Sequence, residues 1–210
     1  MTIAGQIQNF VSEDELQLWV TALNSANPLT ISNNDCHGVS EDHMLYNWFV
    51  TNCFEKIKVA LGDEKLKVQF GMYLNETKPW GIHTDAYHVQ EYSDRETAIS
   101  FLMPLMVNNT TSLVTKSRTI VFNEYGKNNN FDEITVDTSL LPNSAVHIHS
   151  EHLSHNRLDK VKKFTVYDQY QWQRGSLIWW DGNYFHDTDN FIANGYNSKQ
   201  AIVIHTYYDC

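Results

Sequence analysis

Two periodicities divide the chain near Gly62. Ahead of it, apolar residues recur at helical spacing. Ser12-Glu13-Asp14-Glu15 has the form of a capping box, in which the serine oxygen takes an orphan amide and the glutamate reaches back. Leu16, Leu18, Trp19 and Leu23 follow, and together they predict a helix over 12–24. Leu45, Trp48, Phe49, Cys53, Ile57, Ala60 and Leu61 fall on one stripe, which predicts a second helix over 41–61 with Gly62 to end it. Beyond Gly62, β-branched and aromatic runs broken by polar or glycine-containing turns predict strands over 67–74, 97–106, 112–123, 176–181 and 200–208. The stretch 128–159 is less regular, with an Asn run, a short strand signal at 134–136 and a histidine-rich piece, and it reads as an insertion or lid. Helices followed by many strands fit an α+β fold, mainly β, with a two-sheet jelly roll as the candidate and the helices packed on one sheet.

Composition narrows the organisation. With 210 residues, 42% of them hydrophobic, the chain fits a single domain, 1–210. Its parts would be a helical support over 1–62 and a core over 63–208 carrying the irregular insertion at about 126–165. A net charge of −10 opposes binding to a nucleic-acid backbone, which needs clustered cations. The basic stretch Arg157, Lys160, Lys162 and Lys163 is a local exception and reads as a solvated face. Three cysteines, an odd number without metal-like spacing, argue against a disulfide scaffold and for a reducing compartment. Residues 1–10 carry no basic region leading into an apolar one, and no run approaches membrane-spanning length, so a cytoplasmic protein without membrane attachment is expected. Oligomeric state is not legible in the sequence.

The candidate chemistry sits in Trp80-Gly81-Ile82-His83-Thr84-Asp85 and, about a hundred residues later, Asn183-Tyr184-Phe185-His186. Two ligands one residue apart on an extended strand point the same way, so His83 and Asp85 would share a face. His186 would be the third ligand. Two imidazoles and a carboxylate suit iron(II), and three ligands on one side of an octahedral metal leave three positions for reaction.

With those residues in hand, the chain over most of 65–208 resembles the iron(II)- and 2-oxoglutarate-dependent dioxygenases, in their prolyl 4-hydroxylase-like branch. Val68-Gln69-Phe70-Gly71-Met72-Tyr73 looks like that family's strand ending in a tyrosine about ten residues before the metal motif. The run from Thr97 to Asn108 is similar to its next core strand, and Gly175-Ser176-Leu177-Ile178-Trp179-Trp180-Asp181-Gly182 to the strand leading into the distal histidine. Lys199-Gln200-Ala201-Ile202-Val203-Ile204-His205-Thr206-Tyr207-Tyr208 resembles the closing strand, whose leading basic residue, here Lys199, stands thirteen positions after His186. The resemblance implies a double-stranded β-helix of the jelly-roll, cupin-like type. It also implies iron(II) held by His83, Asp85 and His186, with 2-oxoglutarate as cosubstrate and dioxygen as oxidant. Lys199 and Tyr73 would bind the cosubstrate. The implied reaction hydroxylates a C–H bond, of a prolyl residue, a peptide or a free amino acid, and releases succinate and CO2; the retained Asp85 favours hydroxylation over halogenation. Two departures stand out. Lysine replaces the usual arginine, turning a two-pronged salt link into a point charge, and Ala201 stands where many members have a hydroxyl.

Other residues carry alternatives. Period-two alternation from Lys199 sends His205 toward the same pocket, as a substrate contact or a core histidine. Trp80, Trp179 and Trp180 would line the substrate path or the core, and Arg174 reads as a solvated turn residue. His147-Ile148-His149-Ser150-Glu151-His152 with His155 offers a second reading: a polar lid or intersubunit surface, or the metal site of a cupin-like barrel without oxygenase turnover.

Overall fold

The computed structural model describes residues 2–25, 29–30, 36–39, 50–86, 97–107, 114–126 and 142–208. The strand signal at 134–136 and the part of the second helix before residue 50 lie outside them. Strands β1 (Ala4–Ile7), β2 (Leu29–Thr30), β3 (Cys36–Val39), β4 (Leu66–Glu76), β5 (Ile99–Val107), β6 (Val114–Tyr125), β7 (Val166–Gln173), β8 (Leu177–Asp181), β9 (Tyr184–Thr188) and β10 (Lys199–Tyr208) form two sheets. One has the order β1-β8-β5-β10-β4-β3-β2 and the other β7-β6-β9.

Period-two alternation sorts the strand residues into layers. On β5 and β10, Phe101, Met103, Leu105, Ile202 and Ile204 face outward, onto Leu16, Trp19, Val20, Phe54 and Ile57 of the helices. Their neighbours Leu102, Ala201 and Val203 face inward, against Val121, Tyr170 and Trp172 of the small sheet. Beyond that sheet, Ile120, Phe122 and Phe185 meet Ala145, Leu153, Val161 and Phe164. Helices, large sheet, small sheet and the 142–165 stretch thus stack as successive layers. That last layer corrects an expectation: the described part of the supposed lid is short helical turns whose apolar residues fill a third core cluster.

Helix α1 (Glu13–Ser25) begins at the expected capping box, with the Ser12 N–H donating to Glu15 Oε2 at 2.9 Å and the Glu15 N–H to Ser12 Oγ at 3.3 Å. Leu16, Trp19 and Val20 form its buried stripe, while Leu18, expected in that stripe, is exposed. The second helix differs from a regular one. A π-turn over Val50–Phe54 leads into α2 (Glu55–Leu61), and the wider turn shifts the buried stripe onto Cys53, Phe54 and Ile57, leaving Ala60 exposed. Gly62 closes α2 in the left-handed region, at φ 66°, its N–H bonded to the Lys58 and Val59 carbonyls. Lys56 ties α2 to α1 through Glu15 at 3.0 Å.

Arg174 is the clearest surprise in the frame. Its side chain is 2% exposed: Nη2 lies 2.7 Å from Glu13 Oε1, Nε donates to both carboxylate oxygens, and Nη1 donates to the Leu105 carbonyl. It bolts the first turn of α1 to β5. The guanidinium overcomes the modest burial of Glu13 and lowers that carboxyl's pKa. Among the described residues, no helix is long and apolar enough to cross a membrane.

Because a buried cation left without its anion costs more than a half-exposed anion left without its cation, Glu13→Ala is expected to lose about 2–4 kcal/mol and Arg174→Met about 1–3 kcal/mol. Urea unfolding measures both. A depressed carboxyl stabilises above its unfolded pKa, so the Glu13→Ala deficit should shrink as pH falls below the usual carboxylate range.

Candidate metal centre

His83 and His186 are held by each other's backbones. The His83 N–H donates to the His186 carbonyl at 3.1 Å, and the His186 N–H returns the bond to the His83 carbonyl at 2.9 Å, an isolated antiparallel bridge on the free side of β9. Residues that exchange both bonds project their side chains to the same side, and the two imidazole centroids lie 4.3 Å apart. The motif is not the extended strand expected from its spacing. His83 is a single bridge residue, and Asp85 opens a helical turn held by the Ala86 N–H to the Gly182 carbonyl at 3.2 Å. The donors still converge: one ligand atom from each of His83, Asp85 and His186 lies within 4.8 Å of the others, the one such group of three or more among the described residues.

The surroundings choose which atoms face inward. His83 Nδ1 lies 2.7 Å from the Gly81 carbonyl and His186 Nδ1 3.2 Å from the Tyr184 carbonyl. A carbonyl only accepts, so each Nδ1 carries a proton and each Nε2 is the atom left facing inward; burial lowers the His186 imidazole's pKa, but neighbouring Asp85 outweighs it and raises that pKa in the metal-free site. Trp180 Nε1–H donates to Asp85 Oδ2 at 2.8 Å, leaving Oδ1 3.5 Å from His186 Nε2. Burial pushes the Asp85 carboxyl upward, but the imidazoles of His186, His205 and His83 outweigh it and hold the carboxyl well below its usual range. An ionised carboxylate and two aimed imidazole nitrogens are a donor set for one divalent cation.

A second ring of contacts comes from the 142–165 layer. Asn156 accepts from the Ile82 N–H at 3.2 Å and donates to Asp187 Oδ2 at 2.6 Å, so it spans both ligand segments. His155 Nε2 donates to the Trp80 carbonyl at 2.7 Å and lies 3.3 Å from Asp187. Lys160 Nζ donates to the Ile82 carbonyl at 3.1 Å. The histidine-rich piece therefore buttresses the motif; among its members His149 bonds the Asn156 carbonyl and His147 is exposed.

The triad sits on a half-open cavity between the sheets, lined in part by Trp80, Leu102, Thr119, Thr188, Val203 and Glu76. Lys199 is fully buried behind the lining residue Thr188 and does not itself line the cavity. Its Nζ donates to Thr188 Oγ1, lies 3.3 Å from Asp189 Oδ1 and stands 3.7 Å over the Trp172 ring. Trp80 lines the mouth, its ring 5.6 Å from that of His83. His205, 1% exposed, bonds Ser100 Oγ through Nδ1 at 3.0 Å and lies 3.9 Å from Asp85 Oδ2, so it meets the cavity from behind the carboxylate. Tyr73 lies further away. Parity on β4 turns Met72, Leu74 and Glu76 inward and Tyr73 outward, against the helix-side cluster, where it does not line the cavity expected of it. Sequence reasoning passed over Asn156 and Glu76, and took Asp187 and Asp189 only as part of a faint likeness to a cupin metal motif. The acids one and three residues after His186 were the visible signal.

No protein-family model matches the chain, and no curated protein sequence matches it. Solved structures do. The non-heme alpha-ketoglutarate-dependent carbocyclase SnoK of nogalamycin biosynthesis aligns with 98% of this chain and 79% of its own, at TM-score 0.56 and 12% identity. HygX from Streptomyces hygroscopicus, with nickel and 2-oxoglutarate bound, aligns over 99% and 83%, at 0.56 and 11%. A Pseudomonas putida prolyl-4-hydroxylase aligns over 99% and 93%, at 0.52 and 8%. The chain has their fold. At these identities the likeness is one of architecture, and the chemistry rests on the residues above.

Asn156→Ala strands the Ile82 N–H and one Asp187 oxygen, and is expected to cost about 2–4 kcal/mol in urea unfolding. Affinity for a divalent metal, titrated anaerobically, should drop about ten- to hundredfold. An unchanged metal affinity would show that the buttress does not position the donors.

Proposed function

We propose that the protein is an iron(II)- and 2-oxoglutarate-dependent dioxygenase that hydroxylates a C–H bond. The observation that carries this reading is the convergence of His83, Asp85 and His186 on one point at the edge of a half-open cavity between the sheets. The sheet orders β8-β5-β10-β4 and β7-β6-β9, with His83 bridged to β9, support a double-stranded β-helix. Residues 63–208 would be its core and the first 62 its helical support, in one domain. HygX, which shares the fold, was solved with nickel and 2-oxoglutarate bound.

In this reading His83, Asp85 and His186 hold iron(II), which with 2-oxoglutarate and dioxygen supplies oxidative decarboxylation to succinate and CO2 coupled to C–H oxidation. The chain's own part is placement. The Gly81 and Tyr184 carbonyls fix the imidazole tautomers, Trp180 orients Asp85, and Lys199 meets the cosubstrate's distal carboxylate from beneath Thr188. Leu102, Val203 and Trp180 keep water from the walls. Trp80 stands where substrate enters, and a small molecule, peptide, prolyl residue or free amino acid fits this reading. The cupin-like alternative draws its metal from 147–155, but His149 and His155 there bond backbone carbonyls and His152 is buried beside Glu151, so among the described residues these histidines form no metal-ligating group. A reducing cytoplasm suits both iron(II) and the buried Cys53 thiol, whose pKa burial pushes up.

Anaerobic iron(II) titration with 2-oxoglutarate, then exposure to air, should give succinate from wild type and none from His83→Ala, with iron affinity lost in the variant. Unchanged iron binding by His83→Ala would refute the reading. Lys199→Met should raise the 2-oxoglutarate KM by about tenfold or more, since a charged hydrogen bond of about 1.5–3 kcal/mol is lost, and should leave kcat less affected.

A further inference from the structure

Glu76 lies where the proposed cosubstrate site needs a donor and the sequence has removed one. It is the direct register partner of Lys199 across the β4–β10 pair, and directly opposed residues of an antiparallel pair share a face with Cβ atoms about 5 Å apart. It lines the cavity, is 6% exposed, and has no hydrogen bond or ion pair with any described residue. Among the described residues, the charged groups facing it are Lys199 of β10, Asp187 of β9 and Asp189 just beyond β9. Asp187 is engaged by His155 and Asn156, and Asp189 accepts from Ser117, the Arg118 N–H and Asn194 while pairing with Lys199. Lys199, the one cation among these described groups, is thus already matched by an anion.

A dianionic 2-oxo acid entering such a site meets Lys199 as a single point charge, with Ala201 offering no hydroxyl. An ionised Glu76 would repel it at close range. A neutral one would offer an O–H, and a carboxylic acid donating to a carboxylate forms a strong, short hydrogen bond. We infer that Glu76 binds the distal carboxylate of 2-oxoglutarate as a neutral acid, donating beside Lys199, and that cosubstrate binding takes up a proton at this residue. The inference rests on the 2-oxoglutarate reading of the site. Burial, only partly offset by Lys199, pushes the Glu76 carboxyl up to about 7. Its neutral form therefore prevails below that pH and is lost above it, so cosubstrate affinity should fall as pH rises, by up to about tenfold per unit.

The test is calorimetric titration of 2-oxoglutarate into the manganese(II)-loaded full chain without oxygen, between about pH 6 and about pH 9, in two buffers of different ionisation enthalpy. Wild type is expected to take up close to one proton per cosubstrate at the alkaline end and to bind progressively more weakly there. Glu76→Gln, which keeps a donor and cannot ionise, should take up none and bind at least tenfold tighter than wild type at the alkaline end. Binding by wild type at the alkaline end without proton uptake overturns the role of Glu76 and needs no variant to fold. So does a Glu76→Gln protein that keeps the wild-type pH dependence. Failure of wild type to bind 2-oxoglutarate at any pH overturns instead the cosubstrate reading, and the inference with it.

Discussion

The two backbone hydrogen bonds exchanged by His83 and His186 set what the rest of the molecule must supply. They join segments a hundred residues apart and bring both imidazoles to one side at close range. A bridge of this size cannot stand alone, because two hydrogen bonds of about 1 kcal/mol net each do not offset the entropy of ordering both segments. β9 is therefore held by β6 along one edge, and residues 80–83 are held by Asn156, His155 and Lys160 from the layer behind. The apolar contacts of Leu153, Val161 and Phe164 fix that layer, and so a hydrophobic cluster outside the cavity decides the position of donors inside it.

Burial sharpens the electrostatics. Asp85, Asp187, Asp189, Glu76 and Lys199 all lie within the sheets with little or no exposure. Each charge there is costly unless paired, and three of the acids are paired: Asp85 with histidines and Trp180, Asp187 with His155 and Asn156, Asp189 with Lys199. Glu76 stands apart, lining the cavity beside its register partner Lys199. Its placement opposite Lys199 makes the inner end of the cavity sensitive to the charge of what enters.

Much of this was legible along the chain. The Ser12–Glu15 box, the alternation through Ala201-Ile202-Val203-Ile204 and the glycine ending α2 are local signals; α1 and β10 are present within one or two residues of their predicted bounds, and α2 ends at Leu61 as predicted. What failed depended on distant partners. β7 hides because its inward Tyr170 and Trp172 alternate with glutamines that resemble a loop, and β9 because its five residues carry donors instead of an apolar run. Arg174 looked solvated because nothing near it in sequence reveals Glu13 and the Leu105 carbonyl. Tyr73 was placed by its position at the end of a familiar strand pattern; parity counted from the Lys199–Glu76 pair turns it outward. The spacing of His83 and Asp85 pointed to the right convergence through the wrong local structure, since a bridge followed by a helical turn serves as well as a strand.

X-ray absorption at the iron edge of anaerobically loaded protein tests the proposed centre most directly. Two imidazoles and otherwise oxygen ligands are expected, with about half of the imidazole scattering gone in His186→Ala. Sulfur in the coordination sphere, no imidazole scattering, or a His186→Ala spectrum identical to wild type would contradict the assignment of His83, Asp85 and His186 as the metal ligands.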